Sequence, residues 1–478
     1  MPRRDLRALA LVALLTAPVA GCSGGGDASP TQATAPTERA PAPRPPRTDA
    51  ADGARTLLVV DGDSGRPVPG ARVRVRGAAG DPLLQADRRG RVALPRGATA
   101  VRGVAPGFSP GTAAVHPGDG TPVLPLYDPR LQSPQYGGGP QRERFLPEVR
   151  VPPPSGAPRW VFTSRTLLEF PPAVKNGLVV VGTNSGRVYG LDARRGSVRW
   201  ARHMRGNIAA TPAVAGPFVI VPAMNGRVTA YRRGDGKPLW TFSTGGSPVE
   251  TSPLVVGGEV YVGDHAGRLH SLAVRTGAVR WTYRAPGAIK GAAAEAGDTV
   301  IVGDYAGGVQ AVRRSTGALV WRAAVGTRFY GGPAVSGGVA VIGDVGGAVV
   351  ALDASTGAVR WRRGTGAYVY SSPAIARGTV FIGSYSGRFE ALDLATGRVR
   401  WAFDAGGRIS GSATVVGDVV YTARLARRGE PRRTWGLDTG TGAVRYQAAD
   451  GLYSPVVAAG RTLYLVGGRT LSAFPARG

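Results

Sequence analysis

The sequence is poor in the residues from which most catalytic and metal centres are built. It has one cysteine, Cys22, with four histidines and three methionines in 478 residues. A disulfide within the chain is impossible, and so is a zinc site of the multi-cysteine kind. Lysine occurs only at 175, 237 and 290, and 31 acidic residues face 59 basic ones. Calcium takes six to eight oxygen ligands, several from carboxylates, so few such sites are open to this chain. No apolar run reaches the ~20 residues of a membrane-spanning helix.

Glycine and proline are abundant, at 73 and 39, and β-branched residues come in short runs. That combination points to strands and turns. The opening "MPRRDLRALALVALLTAPVAGC" places arginines before a short apolar run and small residues before Cys22. It reads as an export signal over residues 1–21. "VAGC" (Val19 to Cys22) resembles a bacterial lipobox, which implies diacylation of Cys22 and a lipid anchor holding the protein extracytoplasmically on a membrane. Residues 22–54 are Gly-, Ser-, Thr-, Ala- and Pro-rich, the composition of a disordered tether.

The net charge is +28. Residues 161–478 alone carry 38 basic against 18 acidic residues. Arginine-rich coding bias on solvated faces accounts for such an excess. Its field nevertheless favours anionic envelope surfaces, and nucleic acid is not an expected partner outside the cell.

Residues 55–128 alternate strictly at Ala71-Arg72-Val73-Arg74-Val75, valine to one face and arginine to the other. Further short strands lie between Gly and Pro turns, which predicts a small Ig-like β-sandwich. "SGRPVPGARVRV", "ADRRGRVAL" and "VRGVAPGF" resemble carboxypeptidase-regulatory-like domains, which implies a spacer. Residues 129–156 read as a linker.

From 157 to 478 the chain repeats itself. Tryptophans stand at 160, 200, 240, 281, 321, 361 and 401, and an eighth turn ends at Tyr446. A period near 40 marks a repeat fold whose units bury their apolar faces against neighbours. In the repeat 322–361, strands are expected over 329–335, 338–344, 348–353 and 358–361. Four short antiparallel strands make a propeller blade. The large ring at Trp160, Trp200, Trp240, Trp281, Trp321, Trp361, Trp401 and Tyr446 is expected to fill the seam to the next blade. The last segment lacks a fourth strand and "APRWVF" lacks a blade. Joining them predicts an all-β, eight-bladed propeller of four-stranded blades, closed by both termini.

"YSSPAIARGTVFIGSYSGRFEALDLATGRVRW" (370–401) resembles the PQQ-like repeat shared by quinoprotein dehydrogenases and the BamB lipoproteins. The first relation implies a quinone on calcium with an aspartate base and adjacent cysteines; the second implies protein docking. The cysteine pair cannot exist here. Asp192, Asp353, Asp393 and Asp438 are explained by turns before strand four, and Asp264, Asp304 and Asp344 by the hairpin between strands two and three. No catalytic or metal residue and no cofactor is assigned. His265 and His270 straddle one hairpin without a third ligand. Glu295 stands where other repeats have Val335 or Ile375.

Three residues before the Pro-Ala-Val position the repeats carry Glu169, Ala209, Glu250, Lys290, Tyr330, Tyr370, Ser410 and Leu452. Glu169, Glu250, Lys290, Tyr330 and Tyr370 are candidate partner-binding residues at the mouth of a central funnel. An insertion at 423–433 between strands two and three adds Arg424, Arg427, Arg428, Arg432 and Arg433 on the same face. The expected protein is a monomeric, non-catalytic surface lipoprotein binding envelope proteins or anionic envelope polymers. Two other classes stand beside it: a PQQ-dependent or sugar-processing enzyme, and a wall-polymer adhesin whose binding collapses with salt.

Overall fold

The computed structural model describes residues 55–118, 120–426, 430, 432–451 and 453–476. The signal, Cys22 and the tether lie outside the described residues, as do Arg427, Arg428 and Leu452. The described chain is almost wholly β, with one short 3-10 turn at Pro129–Leu131. No described helix is long and apolar enough to cross a membrane.

Residues 55–126 form two facing sheets. Arg91–Leu94, Arg55–Asp61 and Val123–Leu126 make one, with the last pair parallel. Leu83–Gln85, Arg72–Arg76, Ala100–Val104 and Gly111–Ala114 make the other. In Arg72–Arg76 the valines are buried and the arginines exposed, as the alternation requires. Leu57, Val59, Val73, Val75, Leu124 and Leu126 meet between the sheets in one core.

The rest is a β-propeller. Six four-stranded antiparallel sheets follow in chain order, from Ala173–His203 to Ala374–Asp404. A seventh, Thr414–Ala448, gains Phe145–Leu146 as a fifth, parallel strand on its inner edge. The eighth joins Val456–Ala459, Thr462–Val466 and Thr470–Pro475 to Trp160–Thr163, whose register runs Ala473 to Trp160. The two ends of the repeat region thus share one sheet, with Trp160–Thr163 as its outermost strand. The first sheet's innermost strand meets the eighth's.

The repeated turn and tryptophan are one joint. Trp321 Nε1 donates to Ala354 O of the next sheet at 3.0 Å, and Trp361 Nε1 to Leu394 O at 2.8 Å. Between them lies Gly357, with φ +75 and no room for a side chain: a Cβ would sit 2.5 Å from Trp321 Cε3. The turn therefore needs glycine for its backbone and for the ring pressed on it. Trp160 makes the same bond to Ala193 O at 3.1 Å. Tyr446 has no ring N–H and packs edge-on against Tyr421 instead. Asp353 accepts from the amides of Ser355 and Thr356, both 3.0 Å, and pairs with Arg360 at 2.6 Å.

Two expectations need correction. The innermost strand of the fifth sheet is only Ala334–Ser336, not 329–335. Tyr330 to Pro333 leave the ladder because they line the axis, where Gly332 N–H donates to Ser372 Oγ of the next sheet at 2.9 Å. The insertion is also shorter than 423–433. Arg424 and Arg433 are cross-strand partners at the end of the ladder between Val419–Arg424 and Arg433–Asp438, so Ala423, Arg424 and Arg433 belong to strands.

The largest departure concerns 129–156, which is no loose linker. Residues 133–144 run round the axis and accept one hydrogen bond from each of seven innermost strands. The amides of Val174, Val214, Val255, Glu295, Val335, Ile375 and Val415 donate, over 2.7–2.9 Å, to oxygens of Ser133, Pro134, Gln135, Pro140, Gln141, Glu143 and Arg144. Each donor is the middle residue of a three-residue edge strand, whose N–H would otherwise face the channel unpaired. The segment satisfies one otherwise open N–H on each of the seven edges.

Candidate functional site

In blades of this topology the link into strand one and the hairpin between strands two and three share a face, and the remaining turns take the other. The segment 133–146 enters from the second face. There Gln132 accepts from Asn176 N–H at 2.9 Å, in the first sheet's inner turn, and donates to Asp63 of the small domain at 3.2 Å. Arg142 and Arg144 both have positive φ, +61 and +54. That backbone turns both side chains inward, at a cost of about 1 kcal/mol each or more.

The two guanidiniums are almost fully buried, with 1% and 3% exposure, and no carboxylate answers them. Arg142 donates to Ala293 O at 3.0 Å, Pro253 O at 2.9 Å and Tyr136 O. Arg144 donates to Ala413 O, to Ser412 O at 3.2 Å and to Thr414 Oγ1 at 3.0 Å, and lies 4.5 Å from the centre of the Tyr136 ring. Burial pushes the Arg142 guanidinium down to about 9 despite the attraction of Tyr136. Burial alone would raise the Tyr136 phenol, but Arg144 and the hydroxyls of Ser372 and Ser412 leave it below its ordinary value. The cavity left beside this plug is about 10 Å³, room for about one water.

Toward the other face the axis is lined by hydroxyls. Ser252, Ser372, Ser412 and Ser454 accept from the amides of Thr211, Gly332, Ser372 and Ser412 of the preceding sheet in the ring. Three of those acceptors recur at steps of 40 and 42 residues.

Above this belt the predicted mouth residues converge. Tyr330 Oη donates to Glu250 Oε1 at 2.5 Å, and Glu250 Oε2 takes His265 Nε2 at 2.9 Å and Lys290 Nζ at 3.7 Å. Lys290 stands 4.7 Å above the Tyr305 ring. Burial alone would raise the Glu250 carboxyl; His265, Tyr330 and Lys290 together hold it below its ordinary value. Burial, then Glu250, pushes Glu169 the other way. Tyr330 meets Tyr370 edge-on at 5.2 Å, and Tyr370 meets Tyr385 at 4.8 Å.

The structure thus brings together Glu169, Glu250, Lys290, Tyr330 and Tyr370. Of the insertion's described residues, Leu425 N–H donates to Arg408 O at 2.7 Å and Arg432 to Gly467 O of the eighth sheet at 2.9 Å. The two histidines take different carboxylates: His265 takes Glu250, and buried His270 approaches Asp264 at 3.3 Å. Glu295 is a partnered carboxylate, held by Arg314 at 2.5 Å and by Gln141 Nε2 at 3.1 Å.

Sequence reasoning missed Tyr305, Tyr368, Tyr385, Arg328 and Arg408. The signal was present, because Arg328, Tyr368 and Arg408 form a column at steps of 40, five residues before the Pro or Ala that precedes each inner strand. It also missed the axial plug.

Residues 148–306 and 305–478 match the family model described as outer membrane protein assembly factor BamB. The chain belongs to that family. No curated protein matches it. The quinohemoprotein alcohol dehydrogenase of Comamonas testosteroni is similar in fold, at 14% identity over 73% of this BamB-family chain and 81% of its own, TM-score 0.61. A europium-containing methanol dehydrogenase is similar over 71% of this chain and 90% of its own, at 15% identity and TM-score 0.60. BamB from Moraxella catarrhalis is 20% identical over 59% of this chain and 94% of its own, TM-score 0.49.

The dehydrogenase likeness is one of fold, and the plugged end of this axis has no room for a ring cofactor. Tyr136, Arg142 and Arg144 fill the axis beside that 10 Å³ cavity. Among the described residues, no three His, Cys, Asp or Glu side chains are grouped to hold a metal ion.

Proposed function

We propose that this BamB-family chain is a non-catalytic surface lipoprotein whose propeller docks other envelope proteins. Diacylated Cys22 anchors it after removal of residues 1–21, residues 22–54 tether it, and a carboxypeptidase-regulatory-like, Ig-like spacer (55–128) carries an eight-bladed, monomeric propeller (157–478). The observation that carries this reading is the asymmetry of the axis. One end is filled by the chain's own residues 133–146, hydrogen-bonded to seven sheets. The other end opens on tyrosines, a residue type that concentrates binding energy at protein interfaces, set around Glu250 and Lys290. Family membership supports a place in envelope assembly.

The test is chemical cross-linking on intact cells, wild type beside Lys290→Glu/Tyr370→Ala. Discrete protein adducts lost in the variant support docking at the mouth. The same adducts from both, or polymer alone, overturn it. A Cys22→Ser variant, followed by fractionation, tests the anchor: release into the soluble fraction is expected.

A further inference from the structure

The mouth is not chemically even around the ring, and its unevenness points to a partner class. This inference rests on the docking reading above. On sheets four to six, five tyrosines form one continuous cluster. Tyr305 touches Tyr330, Tyr330 touches Tyr370, and Tyr368 and Tyr385 each touch Tyr370 and one another. Tyr368 is 53% exposed, so the cluster reaches from the half-buried axis to open solvent.

Arginines flank it. Arg328 and Arg408 occupy the position of Tyr368 in the sheets on either side, and both are exposed. Arg408 lies 5.6 Å from the centre of the Tyr385 ring. Burial raises the Tyr305 and Tyr370 phenols, and Arg328 is close enough to both to oppose that rise. Of the two carboxylates beside the cluster, Glu250 is taken by Tyr330, His265 and Lys290, and half-buried Glu169 lies on sheet one, away from the Arg328–Tyr368–Arg408 rim. The rim therefore presents a cationic–aromatic–cationic row.

We propose that the row Arg328–Tyr368–Arg408, with Tyr370 and Tyr385 beneath it, docks an acidic, extended segment of a partner protein. Guanidinium forks match carboxylates bidentately. Tyrosine and arginine together are the residues that concentrate binding energy at protein interfaces. Ring geometry favours a peptide over a polysaccharide. Neighbouring rings in the cluster meet at interplanar angles from 38° to 81°, in mutual contact and none coplanar. They present a ridged surface of ring edges and hydroxyls, whereas a sugar ring needs a flat platform on which to stack.

The probe is a fluorescent twelve-residue peptide alternating glutamate with phenylalanine or leucine, titrated by anisotropy against the full chain. A lysine counterpart and alginate, a polyuronate, run beside it. The proposal expects saturable binding of the acidic peptide and none of the lysine one. It expects a tenfold or greater loss with Arg328→Glu/Arg408→Glu. Tyr368→Ala, which leaves the charge unchanged, should weaken binding several-fold and so separates the ring from a general field. Arg275→Glu/Arg280→Glu, in the outer turn and strand of sheet three, changes net charge by the same amount and should change little. No binding of the acidic peptide, equal losses in that control and the Arg328/Arg408 double variant, or alginate bound as tightly as peptide each overturns the row. If the row fails while cross-linking at the mouth still captures protein, the docking reading survives without it; if both fail, both fall.

Discussion

Tyr330 and Glu250 lie 80 residues apart in sequence and 2.5 Å apart in space, phenol to carboxylate. Their sheets are not neighbours, so the bond reaches across the mouth rather than along its rim. It helps to keep Glu250 ionised in a place where burial alone would favour the acid. The stability that Glu250 contributes is thus present above its unfolded value and lost as pH falls through its lower folded one. Tyr330→Phe should raise the Glu250 titration midpoint, read by carbonyl NMR of the side chain, and cost roughly 1–2 kcal/mol. An unmoved midpoint would mean that His265 and Lys290 suffice.

The axial plug makes a stronger stability prediction. Arg142→Ala removes the partner of Ala293 O and Pro253 O, and Arg144→Ala that of Ser412 O and Ala413 O. Buried acceptors left unpaired cost about 1–3 kcal/mol each. Each variant should lose roughly 3 kcal/mol in denaturant unfolding, less whatever water regains. A loss under about 0.5 kcal/mol would place the guanidiniums outside the structural core of the ring.

What the sequence made legible, and what it hid, follows from the range of the interactions. The 40-residue step, the turn aspartates and the tryptophan joint are all written once per repeat, so periodicity exposes them. The mouth column was legible for the same reason, although the Arg328–Tyr368–Arg408 column beside it was overlooked. Residues 133–144 have no period, and their glycines and prolines resemble those of any linker. Their partners are seven amides spread from Val174 to Val415, a one-to-seven relation that no local pattern reports. Glu295 became intelligible only with Gln141 and Arg314 beside it.

The tryptophan joint can be dissected. Gly357→Ala meets two obstacles, a positive φ and Trp321 Cε3 at 2.5 Å. The backbone part costs about 1 kcal/mol, and displacing the ring adds to it. In a Trp321→Ala background, itself worth roughly 3–5 kcal/mol, the steric part should vanish and the backbone part persist. A double-mutant cycle with no coupling would show that the ring yields freely.

Asp63 sits in the junction between the small domain and the propeller, beside Gln132, Tyr127 and Tyr464. Burial raises its carboxyl from 3.8 to about 7, with Asp61 adding to the rise and the Gln132 hydrogen bond opposing it. A raised folded value means that the fold binds the extra proton, so stability falls as pH rises through this window. The penalty is absent below about 3.8 and complete above about 7. Thermal melts of wild type and Asp63→Asn between those limits should diverge, the variant gaining relative stability toward the alkaline end. Parallel curves would contradict the burial of an ionisable group there.

The central claim is that partners meet the mouth and not the opposite face. The most direct measurement replaces Tyr370 at the mouth, or Ser355 on the opposite face, with a photo-crosslinking phenylalanine on intact cells. The account predicts discrete protein adducts from position 370 and none from 355. Adducts from 355 alone, or equally from both, would contradict it.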